Sequence, residues 1–276
     1  MTDVSAEALH ELTAAGIARH EARWLVDEFL PGGDPDAKVL LQAAADRRLR
    51  GEPLQYILGH WPFRTLDLEV DERVLIPRPE TEELVGFALS ELARARVTAP
   101  LIMDLGCGSG AIGLALLSEL ADRGVVATLV AVDESLDALA VARSNALKHR
   151  LRAVSFVHSS WYDNVDVSLR GRVDLLVANP PYVGRNALAQ LDPVLAHEPL
   201  GALVSSDHEG VEGFADLAQV IGGAREWLAP TGVLLCEHGD TQREAVLRAA
   251  IRAGFVHADD YDDMAGKPRV LIARQS

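Results

Sequence analysis

Cysteine is nearly absent from this chain: Cys107 and Cys236 are the only two in 276 residues. Two are too few for a disulfide framework in a chain of this length, so both are expected to be reduced small hydrophobes. No cluster of His and Cys has zinc-finger spacing, and no metal is expected. Long apolar runs are also missing. No stretch approaches the ~18 residues of a membrane span, and the acidic, polar first ten residues carry no secretion-leader pattern; a cytoplasmic protein without a membrane partner is expected. Positive charge is scarce, with 26 Lys and Arg against 41 Asp and Glu and a net charge of −15. That balance opposes binding to a polyanion, because neutralised phosphates supply most nucleic-acid affinity. Arg47, Arg48 and Arg50 do cluster, but at the end of an expected helix, where they complement its dipole.

What is present is the material of a globular enzyme. A content of 49% hydrophobic and 24% charged residues is that of a folded chain long enough for one ordinary domain and a small one. Three short amphipathic helices are expected first: Ser5 to Ala15 closed by Gly16, Glu21 to Leu30 with Ala22, Leu25, Val26 and Phe29 on one face, and a third capped by Asp34 and Pro35 with Ala37, Leu40, Leu41 and Ala44 as its stripe. Leu66, Leu68 and Val70 alternate with acidic residues as a half-exposed strand, to which Val74 to Ile76 is expected to return as a hairpin. From Glu80 onward helices alternate with apolar strands near 101–105, 127–132, 153–157, 173–178, 232–237, 254–261 and 269–274, an α/β pattern. This divides the chain into 1–53 (helical), 54–79 (hairpin linker) and 80–276 (α/β). The long segment from Val183 to Glu212 is too extended to be a mere connector and reads as a lid or contact loop.

The most informative stretch is Val173-Asp-Leu-Leu-Val-Ala-Asn-Pro-Pro-Tyr182. The apolar run suits a strand buried on both faces of a parallel sheet. It ends in a rigid hook, because neither proline can donate to a ladder and each drives its predecessor out of the helical region. The Asn179 side-chain oxygen and the Pro180 carbonyl are then two acceptors able to hold an NH2 group by both hydrogens, and the Tyr182 ring is a flat face for stacking. In an arbitrary sequence the same residues could be a strand, a tight turn and a surface tyrosine.

A second motif lies upstream. Leu101 to Leu105 runs into Gly106, Cys107, Gly108, Ser109 and Gly110 and then an apolar helical stretch, which is a strand, a Gly-x-Gly-x-Gly turn and a helix N-terminus. Alone it fits any βαβ turn or a dinucleotide site. A third element narrows the choice: the next strand ends at Asp133, roughly 20 residues past the glycines, where a carboxylate can accept both hydroxyls of a ribose. That spacing serves NAD and S-adenosylmethionine alike. The Gly-x-Gly-x-Gly pattern and a hook at the end of the fourth strand, which lies beside the first in a doubly wound sheet, separate the two.

The set Asp104-Leu-Gly-Cys-Gly-Ser-Gly110, Asp133 and Asn179-Pro-Pro-Tyr182 resembles the class I S-adenosylmethionine-dependent methyltransferases. More narrowly, it resembles the HemK/PrmC family, which methylates the glutamine of the Gly-Gly-Gln motif in peptide chain release factors. Gly51-Glu-Pro53 with Gly59 and Phe63, Ile76-Pro-Arg-Pro-Glu-Thr-Glu82 and Glu237-His-Gly239 match that family beyond the general fold. The resemblance implies a Rossmann-like, mostly parallel, seven-stranded doubly wound sheet, a helical N-terminal domain that docks the protein substrate, and a class 1 release factor as partner of a monomeric enzyme. It also implies S-adenosylmethionine held by Gly106, Cys107, Gly108, Ser109, Gly110, Asp133, Trp161 and Asn179, with the glutamine held by Asn179, Pro180, Pro181 and Tyr182; of these, Asn179, Pro180 and Tyr182 serve the chemistry. Two departures stand out. Ser160 replaces the family's acidic residue before the tryptophan, which implies a lost adenine-amine contact, and the segment ahead of Gly51 is shorter than the family's usual N-terminal domain. Glu237 and His238 are tempting as acid and base, but are read as structural.

Two rival functions stay open at the level of sequence. The same hook would serve a flipped adenine or guanine, which the acidic charge disfavours, and a non-catalytic protein could keep the fold. On the favoured reading, Asp133→Ala weakens S-adenosylmethionine binding by ~1.5 to 3 kcal/mol, the range for hydrogen bonds to a charged group. Titration calorimetry checks this, and affinity for NAD in place of S-adenosylmethionine would sink it.

Overall fold

The computed structural model describes residues 3–30, 36–187 and 193–276; Asp34 and Pro35, expected to open the third helix, lie outside them. Four helices come first: α1 Asp3–Ala14, α2 Arg19–Phe29, α3 Ala37–Leu49 and α4 Leu54–Leu58. Leu12, Leu25, Val26, Leu41 and Ala44 form a cluster that also takes in Leu54, Ile57 and Leu58. The helical core thus runs past residue 53, because the short α4 packs back onto α2 and α3 before Gly59, at φ 78°, turns the chain out. Leu40 is a correction: it is 48% exposed, and α3 buries Ala37, Leu41, Ala44 and Ala45 instead. The arginines at the end of α3 find carboxylates, Arg47 pairing with Glu52 and Arg48 with Glu21 at 2.9 Å.

The hairpin also differs from expectation. It is formed by β1 His60–Phe63 and β2 Leu66–Glu69, antiparallel with Phe63 opposite Leu66, around a two-residue turn in which Arg64 adopts φ 53°. Residues 74–76 make no strand. Val74 and Ile76 pack with Tyr56, Val70, Ala138 and Val141, and the Ile76 amide donates to Glu198 at 3.0 Å, so it is taken out of any ladder.

The remainder alternates as the apolar runs require: α5 Pro79–Ala95, β3 Leu101–Leu105, α6 Ala111–Asp122, β4 Thr128–Asp133, α7 Leu136–Lys148, β5 Val154–His158, β6 Val173–Ala178, β7 Val183–Gly184, α8 Leu200–Leu203, β8 Val204–Ser205, α9 Ala215–Trp227, β9 Leu228–Glu237, α10 Arg243–Ala253, β10 His257–Asp262 and β11 Pro268–Arg274. Strand β10 starts three residues later than expected because Gly254, at φ 89°, closes α10 and Phe255 turns into the core. The seven-stranded sheet has the order β10-β11-β9-β6-β3-β4-β5, in which β11 pairs antiparallel with both β10 and β9 and every other pair is parallel. Alternate side chains fill two layers. Ile102, Leu129, Leu175 and Leu235 face α5, α6 and α7; Met103, Val130, Leu176 and Leu234 face α9 and α10, where Trp227 is the largest fully buried side chain.

One polar side chain joins three parts of this architecture. Asn145, buried on α7, accepts from the Glu69 amide (2.7 Å) and donates to the Glu69 carbonyl (3.1 Å) and the Ser109 carbonyl (3.0 Å). It thereby holds the hairpin and the glycine loop against one helix. Asn145→Ala leaves these backbone groups unpaired in the interior and is expected to lower stability by ~2 kcal/mol or more, read as a shift of the urea midpoint.

Candidate active site

The site follows from sheet register. Leu105 lies opposite Val132 on one side and Ala178 on the other, and Ala178 lies opposite Cys236. The next residues on these four parallel strands, Gly106, Asp133, Asn179 and Glu237, therefore emerge side by side at the carboxyl edge, in the crevice where strand order reverses. Gly106, Cys107, Gly108, Ser109, Asp133, Trp161, Asn179 and Pro181 line one cleft there. Gly110, Pro180 and Tyr182 are not among its walls: Gly110 starts α6, Pro180 is buried, and Tyr182 lines a smaller adjoining recess with Leu75, Arg78, Asn179, Val183 and Leu203.

The glycine loop is bent tightly over the end of β4. The Gly106 and Cys107 amides both donate to the Val132 carbonyl at 2.9 Å, and the Gly108 amide donates to Asp133 Oδ2 at 2.8 Å. Gly110 has φ 83°, and a Cβ there would stand 2.7 Å from Leu114 Cδ1. Beneath the loop Asp104 is fully buried, its Oδ2 accepting the Gly113 amide at 2.9 Å while Oδ1 has no hydrogen-bond partner among the described residues. Burial pushes its carboxyl up to about 7, against the pull of that amide. Burial also raises the Asp133 carboxyl, although Ser135 and Gly108 donate backbone amides to it.

Trp161 sits at φ 44°, a left-handed conformation rarely held by a bulky side chain. It is secured by its Nε1–H, which donates to Asp216 Oδ1 at 3.2 Å. Its ring edge lies 3.5 Å from where a Cβ on Gly106 would be, so the missing side chain at 106 leaves the indole lying against the loop. Ser159 lines the cleft, whereas Ser160 is exposed and outside it.

On the other wall the hook is tied to residues far away in sequence. Asn179 Nδ2 donates to Thr81 Oγ1 (3.2 Å), the Thr81 hydroxyl donates to Glu237 Oε2 (2.6 Å), and the Tyr182 hydroxyl donates to Glu237 Oε1 (3.3 Å). Burial raises the Glu237 carboxyl, opposed by the Thr81 hydrogen bond and the charge of Arg269. Burial likewise raises the Tyr182 phenol, which stays a donor. Behind the hook Gln242 donates to the carbonyls of Tyr182 (3.2 Å) and Glu212 (2.9 Å). His238 is fully buried against Asp260, in keeping with a structural role.

Beyond the hook, Pro199, Gly201, Ala202 and Val204 also line the cleft, and the chain before them is tied down. It is latched by Glu198, which takes the Ile76 amide and, at 2.5 Å, Arg78 Nη2. Thr81, Arg78, Glu198, Asp216 and Gln242 went unassigned in the sequence. Thr81 and Arg78 at least fall within the flagged Ile76-Pro-Arg-Pro-Glu-Thr-Glu82 segment, and Glu198 within the Val183 to Glu212 segment; nothing local marks Asp216 and Gln242. The assembled cleft brings a buried carboxylate (Asp133), an indole (Trp161) and a side-chain amide (Asn179) to the walls of one space beside the glycine loop. Among the described residues no helix is long and apolar enough to cross a membrane, and no group of His, Cys, Asp and Glu is arranged to hold a metal.

A methyltransferase small domain model matches residues 87–196, which hold the glycine loop, Asp133 and the hook. The release factor glutamine methyltransferase of Haemophilus influenzae is 43% identical over 220 residues, covering 77% of this chain and 72% of that protein. That of Salmonella typhimurium is 37% identical over 281 residues, covering 97% of this chain and 96% of that one. Coverage so nearly complete on both sides leaves no substantially longer N-terminal domain in that relative, so the expected shortening is not found against it. Among solved structures, the T. thermophilus 16S rRNA N2 G1207 methyltransferase in complex with AdoMet and guanosine aligns with TM-score 0.52 at 17% identity, over 79% of this chain and 50% of that one, a likeness of fold.

Proposed function

Since the chain belongs to the release factor glutamine methyltransferase family, we propose that it transfers a methyl group from S-adenosylmethionine to the side-chain amide nitrogen of a glutamine in a peptide chain release factor, within its Gly-Gly-Gln motif. The observation that carries this reading is the sharing of one cleft by Asp133, the glycine loop and Asn179. The residues fit the cofactor: glycines with positive φ let the backbone approach it, Asp133 has lone pairs for the ribose hydroxyls, and the Trp161 indole can cover the adenine. Bound there, S-adenosylmethionine supplies an electrophilic methyl on a sulfonium that departs without assistance.

The chain's own task is to make a poor nucleophile react, since an amide lone pair is delocalised into its carbonyl. Asn179 Oδ1 and the Pro180 carbonyl accept the two N–H groups, fix the nitrogen in line and favour positive charge developing on it. Tyr182, clamped through its hydroxyl, presents its ring to the amide plane. Neither a protein nucleophile nor a metal is required. Release of Glu198 from Ile76 and Arg78 would open the segment over the cleft and admit a loop of the partner.

Incubating a release factor with this protein and S-adenosylmethionine, then sequencing the product by mass spectrometry, tests the reading; one added methyl on the Gly-Gly-Gln glutamine is expected, and methylation of RNA or DNA alone would overturn it. Asn179→Ala is expected to keep the fold and lose roughly 10²-fold or more in turnover, the scale for one preorganised polar contact. We propose further that residues 1–53 with α4 dock the partner, since one glutamine in a pocket cannot distinguish a release factor from other proteins. Val39 and Leu40 on α3 are 68% and 48% exposed. Charging both, as Val39→Asp and Leu40→Asp, is expected to raise KM for intact release factor while leaving the methylation of a short Gly-Gly-Gln peptide unchanged.

A further inference from the structure

The buried chain from Asn179 to Glu237 has a direction. Glu237 receives two hydroxyl donors, Thr81 at Oε2 (2.6 Å) and Tyr182 at Oε1 (3.3 Å); burial raises its carboxyl, opposed by those hydrogen bonds and by the charge of Arg269 on β11, and with one hydroxyl on each oxygen the ionised group accepts only. A threonine hydroxyl has one proton, and that proton is committed to Glu237. What remains at Thr81 Oγ1 is lone pair, so the Asn179 atom 3.2 Å away must be the NH2 nitrogen. The amide oxygen is then at the other end of the group, and Asn179 borders both the main cleft and the recess beside Tyr182.

We propose that Glu237, acting through Thr81, is a positioning residue that sets the polarity of the nitrogen-binding pocket by holding Asn179 with its oxygen toward the substrate. The proposal rests on the glutamine methyltransferase reading and deepens it. An Asn side chain is nearly symmetric in shape, and its reversed rotamer would present NH2 where the substrate amide also presents NH2, donor against donor. A pocket with the oxygen outward accepts an amide nitrogen and refuses the oxygen of a glutamate carboxylate, although the two side chains have the same size. The same carboxylate clamps Tyr182, so both ends of the Asn-Pro-Pro-Tyr hook answer to one buried charge from the neighbouring strand.

Thr81→Val keeps the shape of residue 81 and deletes the relay; Thr81→Ser keeps the relay. Glu237→Gln retains volume and puts an N–H on one of the two hydroxyls, so that either the Thr81 relay or the Tyr182 clamp is lost. Each is assayed in the full-length protein with a Gly-Gly-Gln peptide as substrate and the matching Gly-Gly-Glu peptide as competitor. Thr81→Val and Glu237→Gln are expected to lose about 10-fold to 10²-fold in kcat and to bind the glutamate peptide relatively better than wild type does, while Thr81→Ser stays within about threefold of wild type. Circular dichroism and S-adenosylmethionine affinity, expected to change by about twofold at most, are read on the same samples to separate polarity from folding. Turnover at the wild-type rate with undiminished preference for glutamine in Thr81→Val would overturn the proposal. A wild-type protein inactive on release factor and peptide would overturn the functional reading itself, a result distinguishable from active variants.

Discussion

Everything the cleft does depends on four parallel strands ending in register. Because β3 is flanked by β4 and β6, and β6 by β9, the first residue past each ladder stands next to its neighbours at strand spacing. Gly106 contributes open backbone, Asp133 and Glu237 contribute carboxylates, and Asn179 contributes an amide. A slip of one residue in any strand would turn its core side chains to the other face and displace its terminal residue from the row. The apolar residues that fill both layers therefore also align the chemistry.

Around that row the polar interior acts as fastening. Asn145 pins the glycine loop to the hairpin, Gln242 holds the chain behind Tyr182, and Glu198 draws the segment over the cleft onto Ile76 and Arg78. Arg64 at the hairpin turn is bidentate to Glu119 on α6, at 2.7 and 2.8 Å. Each fastening spans dozens of residues in sequence; Asn145 and Arg64 join a loop or turn to a helix, and Gln242 and Glu198 join two irregular segments. Loops that carry binding groups are held in this way without giving up their irregular backbone. The contact at Glu198 differs from the others in pairing a buried carboxylate with both a backbone amide and a guanidinium.

The chain carries a net charge of −15, and Arg47 and Arg48 at the end of α3 pair with Glu52 and Glu21. Two buried carboxylates near the cleft are each compensated locally. Asp133 is surrounded by backbone amides, and Glu237 by two hydroxyls with Arg269 nearby.

Much of this was legible in the linear chain, because the determining signals are local. Apolar runs of strand length marked the seven strands, glycines at Gly106, Gly108 and Gly110 marked a backbone that must turn with positive φ, and two prolines after Asn179 marked a strand that must stop. The hairpin was misplaced for an instructive reason: Leu66 to Val70 alternates correctly, but its partner was chosen by apolar content at Val74 and Ile76, whereas the true partner, His60 to Phe63, is settled by the Arg64-Thr65 turn and by Glu198 occupying the Ile76 amide. Leu40 failed similarly, since periodicity gives a helical face but not which edge of it the neighbouring helices cover. What the sequence determined by itself was the inventory and the strand-end position of each reactive group, since these follow from backbone sterics and the period of side chains. What only the tertiary structure decided was the partnership of Asn179, Thr81, Glu237 and Tyr182. Hydrogen-bond direction depends on which donors and acceptors are buried together, and residues 81, 179 and 237 meet only once the sheet has assembled.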